Sequence, residues 1–188
     1  KETSANSLQA SDDKDRLSND CYSFVLPKNK GGLKNLQAMS EFTGKPVEYV
    51  KGDYIRTEAP ADGCAERLNI AGNIFPSITI YPAPIDNPGT LSAYVEAMQK
   101  NLADGPYAYK SEKHELLTTK QGYSAAKFRY HSGSDYIKTS FVILTPKDKS
   151  YTLKGRMVDA FIIQSYTPNG SSEYLDNERL VVDSIRFK

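Results

Sequence analysis

The residues able to do acid–base or nucleophilic work are few: two histidines, His114 and His131, and two cysteines, Cys21 and Cys64. Histidine titrates near neutrality and commonly serves as base to a serine or cysteine nucleophile. A structural zinc ion usually takes four nitrogen or sulfur ligands, which two cysteines without neighbouring histidines do not supply. No Gly-x-Ser-x-Gly elbow occurs, and Lys30-Gly31-Gly32 lacks phosphate-loop spacing. The surroundings of Asp148 do not match a calcium loop, and the pair Asp12-Asp13 lies in a polar, solvent-facing stretch. The sequence thus predicts no enzyme: no catalytic residue, no metal ligand and no cofactor.

The histidines can be placed by assuming a hairpin that turns at Lys120-Gln121. Thr119 then faces Gly122, His114 faces Lys127 and His131 faces Lys110. Both histidines fall on one strand face, about 13 Å apart at ~3.3 Å per residue, too far to share a metal. That face also carries Lys110, Glu112, Lys127 and Arg129; the other carries Tyr109, Leu117, Ala126, Phe128 and Tyr130. The expectation is a solvated, charged face. The alternative is a hydrolase or small-ligand-binding enzyme with a site assembled by folding around His114 or His131. A histidine within ~3.2 Å of a serine, cysteine or carboxylate at a pocket would support it.

The basic residues Lys110, Lys113, Lys127, Arg129 and Lys138 are interrupted by Glu112, Glu115 and Asp135, and five tyrosines (107, 109, 123, 130 and 136) cluster in the same stretch. Half-buried sheets favour tyrosine, and so do protein interfaces, where it contributes large area at low rotamer cost. Tyr107, Tyr109, Lys127, Arg129 and His131 are therefore the candidate protein-binding residues, suited to an acidic protein partner.

The elements that position these residues follow from patterning. Residues 1–20 are polar with two leucines and read as a flexible arm; residues 21–188 form one domain. Residues 21–27 read as a first strand, and Leu33, Leu36, Met39 and Phe42 allow a short helix. Strands are predicted over about 47–58, 65–71 and 74–81, followed by a Pro-rich loop over 82–89. Thr90 can cap a helix bearing Leu91, Tyr94, Val95, Met98 and Leu102, stopped by Gly105-Pro106. Residues 107–119, 122–131 and 136–145 read as a meander, and 150–167 as one long strand. In that strand Val158, Ala160 and Ile162 share one face, and Met157, Phe161 and Ile163 the other. Apolar on both faces, it belongs mid-sheet. Ser171 or Ser172 can cap a last helix with a stripe of Tyr174, Leu175, Glu178, Val181, Val182 and Ile185. The order argues for an α+β fold, an antiparallel sheet with segregated helices.

The 188 residues are 39% hydrophobic and 25% charged, as in ordinary globular domains. A net charge of +1 gives no field to gather nucleic acid or an anionic membrane. No apolar run reaches the ~20 residues of a membrane-spanning helix. The chain begins with Lys1. A removed export signal or lipoprotein leader, with a lipid anchor on the precursor, would explain this, as would an expression truncation. Export to the periplasm or the extracellular side is the expectation. There, an even cysteine count suggests a Cys21–Cys64 disulfide closing a loop of about 44 residues; two free buried thiols are the alternative.

The second half resembles a known family. Gly122-Tyr123-Ser124-Ala125-Ala126 leads into Phe128-Arg129-Tyr130. A long strand ends in Ile163-Gln164-Ser165-Tyr166, and a closing helix ends in Val182-Asp183-Ser184-Ile185-Arg186-Phe187. These features, with Tyr22-Ser23-Phe24-Val25-Leu26-Pro27, resemble the PsbP-like fold of photosystem accessory subunits and DcrB-like periplasmic proteins. The chain departs from it in lacking tryptophan and in an extra stretch at about 28–52. The resemblance implies an antiparallel sheet sandwiched by helices (an α/β/α sandwich) and a non-enzymatic role in protein binding or assembly, such as that of an inhibitor or immunity protein.

Overall fold

The computed structural model describes residues 16–25, 48–49, 54–58, 64–70, 77–83, 90–132, 136–149, 151–168 and 177–188. Within these lie, in chain order, β1 (Arg16–Ser18), β2 (Tyr22–Val25), β3 (Glu48–Tyr49), β4 (Tyr54–Glu58), β5 (Glu66–Ile70) and β6 (Ser77–Ala83). Helix α1 (Leu91–Asp104), β7 (Glu115–Thr118), β8 (Ser124–Ser132) and β9 (Tyr136–Leu144) follow. The chain continues through β10 (Tyr151–Leu153), β11 (Arg156–Val158), β12 (Ala160–Pro168), α2 (Asn177–Ser184) and β13 (Arg186–Phe187). The result is a mixed α+β structure of mainly antiparallel sheets with two helices among the described residues.

The apolar pattern of β12 decides its place. It pairs with β6 on one side and β9 on the other, in an eight-stranded order β3-β4-β5-β6-β12-β9-β8-β7. Its side chains alternate between two cores, as a two-faced apolar strand requires. Phe161 and Ile163 join a cluster with Ile78, Ile80, Phe141, Ile143, the cysteines, and Val181, Val182 and Ile185 from α2 and its end. Ala160 and Ile162 join a second cluster with Ala126, Phe128, Tyr130, Val142 and Val95 of α1.

Helix α1 forms where the pattern placed it. The Thr90 hydroxyl accepts from the Ala93 N–H at 3.2 Å, satisfying one donor of the open first turn. Leu91, Tyr94, Met98 and Leu102 pack on the second cluster. Gly105 follows the helix, and a Cβ there would press tightly on the Asn101 carbonyl oxygen at 3.1 Å.

Three readings change. In the stretch read as one strand over 150–167, residues 151–158 form a tight hairpin and a separate strand follows: Lys154 and Gly155 both take positive φ (50° and 76°), the geometry of a two-residue turn matched to strand twist. Met157 therefore leaves the face of Phe161 and Ile163 and is 61% exposed. β6 runs on through Pro82 and Ala83, pairing with Phe161 and Ala160. Because β5 pairs with β6 only as far as Ile80, Pro82 meets a strand on one side alone among the described residues, where a missing N–H is tolerated. β1 falls within the stretch read as an arm: Arg16 Nη1 donates to the Ser184 carbonyl oxygen at 2.8 Å, and β1 pairs with β2. The helix suggested over 33–42 and the caps Ser171 and Ser172 lie outside the described residues.

A second, three-stranded sheet, β1-β2-β13, joins the two ends of the described chain. Val25 N–H donates to Ser184 Oγ at 2.8 Å, and Ser184 Oγ donates to the Val181 carbonyl oxygen at 3.0 Å. Asp183 beside it accepts from the Lys120 N–H through Oδ1 (3.1 Å) and from Arg179 Nε through Oδ2 (2.9 Å), which pins the β7–β8 turn to α2.

Candidate functional site

Cys21 and Cys64 form the disulfide, with Cα atoms 5.5 Å apart. Both are buried in the first core cluster and belong to packing rather than to surface chemistry. Among the described residues no free cysteine and no cluster of metal-ligating side chains occurs, and no helix is long and apolar enough to cross a membrane.

The two histidines part company. Ser111 bridges Tyr130 in the expected register, but Glu115 then faces Lys127, so one extra residue enters between Ser111 and Glu115. Such an insertion turns the side chains beyond it to the other face. His114 consequently points toward α1, while His131 is exposed at the far end of β8. His114 Nε2 lies 2.7 Å from Ser92 Oγ, and His114 Nδ1 lies 3.0 Å from Gln99 Oε1. Gln99 Nε2 donates to Ser111 Oγ (2.9 Å) and to the Glu112 carbonyl oxygen (2.6 Å). With the amide nitrogen committed to two acceptors, Oε1 must accept from His114 Nδ1–H. Nε2 is then the bare nitrogen, and Ser92 donates its hydroxyl proton to it.

An open cavity of about 430 Å³ adjoins Ser92, lined also by Thr90, Leu91, Leu117, Ser124 and Leu144. The sequence singles out His114 as one possible centre of a folded site, but neither Ser92 nor Gln99. The signal for those two is the polar stripe Ser92, Glu96 and Gln99 at helical spacing along α1.

The five candidate binding residues also fall into two groups. Tyr107 is 75% exposed and stacks on Tyr109, with centroids 5.5 Å apart and planes 19° from parallel. Tyr109 leans on buried Tyr130 at 5.5 Å, and Lys138 Nζ sits 5.8 Å from the centre of the Tyr130 ring. The backbone holds this stack at the end of α1: Tyr109 N–H reaches back to the Leu102 carbonyl oxygen, and Ala108 takes φ +46° to make that turn. Positive φ is costly for a residue with a Cβ. Lys127 and Arg129 lie on the opposite side of β8 from Tyr130, Lys127 over the Phe141 ring at 5.7 Å and Arg129 Nε donating to Thr139 Oγ1 at 3.2 Å. They belong with His131 and not with the tyrosines.

Burial pushes the Tyr81 hydroxyl up to about 12, with Tyr130 and Tyr94 adding to the effect. Compared with known proteins, the chain matches no family model and no curated protein.

Proposed function

We propose that the protein works outside the cytoplasm, in the periplasm or beyond the cell surface, as a binding or accessory protein that docks a protein partner. The stacked pair Tyr107 and Tyr109 carries this reading. A large aromatic ring left 75% exposed, backed by two further rings and set by a strained turn, resembles the preorganised anchors that dominate protein interfaces. The exposed Lys110 and the half-buried Lys138 nearby suit a partner with an acidic rim around an apolar pocket. An inhibitor or immunity protein is one form of that role. The disulfide favours an oxidising compartment. We read the architecture as a PsbP-like α/β/α sandwich. The reading is supported by the two core clusters, one shared with α1 and the other with α2.

The test is a photocrosslinking amino acid placed at Tyr107 in cells that export the protein, with the same residue at exposed Lys154 as the control. A discrete adduct with a single protein at position 107, absent from position 154 and lost on Tyr109→Ala, supports docking through this surface. No adduct at 107 beyond that at 154 rejects it.

A further inference from the structure

We infer that Ser92 is a nucleophile for acyl transfer, with His114 as its general base and Gln99 as the positioning residue; this goes beyond docking through the tyrosines and does not rest on it.

Three observations meet at one place. Ser92 Oγ is 2.7 Å from His114 Nε2, within the reach that proton transfer needs. The tautomer is fixed from behind: Ser111 and the Glu112 carbonyl oxygen hold the Gln99 amide, and Gln99 Oε1 holds Nδ1–H. This is the role that the third member of a nucleophile–base–orienter chain performs. And Ser92 lines a cavity whose wall includes Leu91, Leu117 and Leu144, so an apolar acyl chain could lie beside the hydroxyl. A fourth feature supports the first three. Thr90 takes up the amides of Ala93 and Tyr94, and Leu91 and Ser92 carry the first-turn amides that have no acceptor within the helix, donors of the kind an oxyanion needs.

The substrate class is a carboxylic ester with an apolar acyl group. Ser92 Oγ bonds to the carbonyl carbon as its proton passes to His114 Nε2, and the carbonyl oxygen becomes the oxyanion. Collapse breaks the bond to the alcohol, which leaves with the proton from Nε2. Water then attacks the acyl-serine, giving a proton to Nε2; the Oγ–carbon bond breaks, Oγ regains the proton, and the carboxylic acid is released. No oxidant, reductant or metal enters. Gln99 is neutral, so it orients the imidazole without offsetting the charge that develops on it. Slow turnover relative to carboxylate-backed triads follows. Glu96 Oε1 lies 3.5 Å from Ser92 Oγ and is the nearest competing acceptor.

The experiment treats the wild-type protein with an alkyl fluorophosphonate and locates the adduct by peptide mass spectrometry, alongside hydrolysis of p-nitrophenyl butyrate. Expected is one adduct on Ser92, and ester hydrolysis reduced about a hundredfold by either Ser92→Ala or His114→Ala, with no further loss in the double variant. Gln99→Leu should lower kcat while leaving KM in place, which a merely structural loss would not do. Labelling of the wild-type protein needs no variant to fold. An unlabelled Ser92, an adduct on a tyrosine instead, or a Ser92→Ala protein that hydrolyses ester like wild type overturns the inference.

Discussion

The Tyr22 hydroxyl donates to the Cys64 carbonyl oxygen across 2.7 Å, one residue along from the disulfide that joins Cys64 to Cys21. Two unlike bonds thus tie the same pair of segments. The covalent one acts mainly by restricting the unfolded chain, the other by satisfying a buried acceptor. Replacing both cysteines by alanine should lower stability by about 4 kcal/mol, as expected for a loop of this length. Tyr22→Phe should cost only about 1–2 kcal/mol. Urea unfolding of the oxidised, reduced and substituted proteins checks both values.

Core and surface on neighbouring strands should respond differently. Phe161 is fully buried between Tyr22, Tyr151 and Phe187, whereas Met157 is 61% exposed. Phe161→Ala should destabilise by about 3–5 kcal/mol. Met157→Ala should change stability by less than about 0.5 kcal/mol. A reversal in denaturant midpoints would show that the hairpin of β10 and β11 packs differently.

The Asp183 carboxylate bonds both to the turn before β8 and to Arg179. Asp183→Ala leaves the Lys120 N–H without that acceptor and should cost about 1–3 kcal/mol. Hydrogen exchange at Lys120 should accelerate beyond the global effect.

Tyr81 gives a pH dependence. Burial raises its folded-state value to about 12 from an ordinary 10.0, so the native state holds the proton more tightly than the unfolded chain. Its contribution is complete below pH 10 and is lost as pH rises toward 12. Tyr81→Phe should flatten the fall in stability between these values. Spectroscopic titration should show one tyrosine fewer ionising late.

Tyr107→Ala should leave the unfolding midpoint within about 0.5 kcal/mol of wild type, since the ring is 75% exposed. Thermal unfolding checks this, and a large loss would make the stack structural.

Much of this fold was legible because burial imposes simple periods. Leu91, Tyr94, Met98 and Leu102 repeat at helical spacing behind a threonine cap, and Phe161 and Ile163 alternate with Ala160 and Ile162 in a strand packed on two sides. The even cysteine count and the expectation of export suggested the Cys21–Cys64 bond over two free buried thiols, and the two form it. What escaped was local chain geometry. Lys154 adopts a left-handed conformation that its side chain does not advertise, so one strand was read where a hairpin stands. A single extra residue between Ser111 and Glu115 reversed the side on which His114 projects. Its partners Ser92 and Gln99 come from a helix 15 to 22 positions earlier, a proximity that only folding creates.

The small sheet at the chain ends sets a timetable for folding. β2 is flanked by β1 and by β13, and the Lys188 N–H donates to the Cys21 carbonyl oxygen. Phe187 packs against Tyr22 and Phe161. A growing chain therefore cannot close the core around Phe161 until its final described residues have left the ribosome, because the entropy of joining such distant segments must be met before their contacts form. Until then Tyr22 and Phe161 lack the Phe187 ring that packs against both, and the Cys21 carbonyl oxygen lacks the Lys188 N–H.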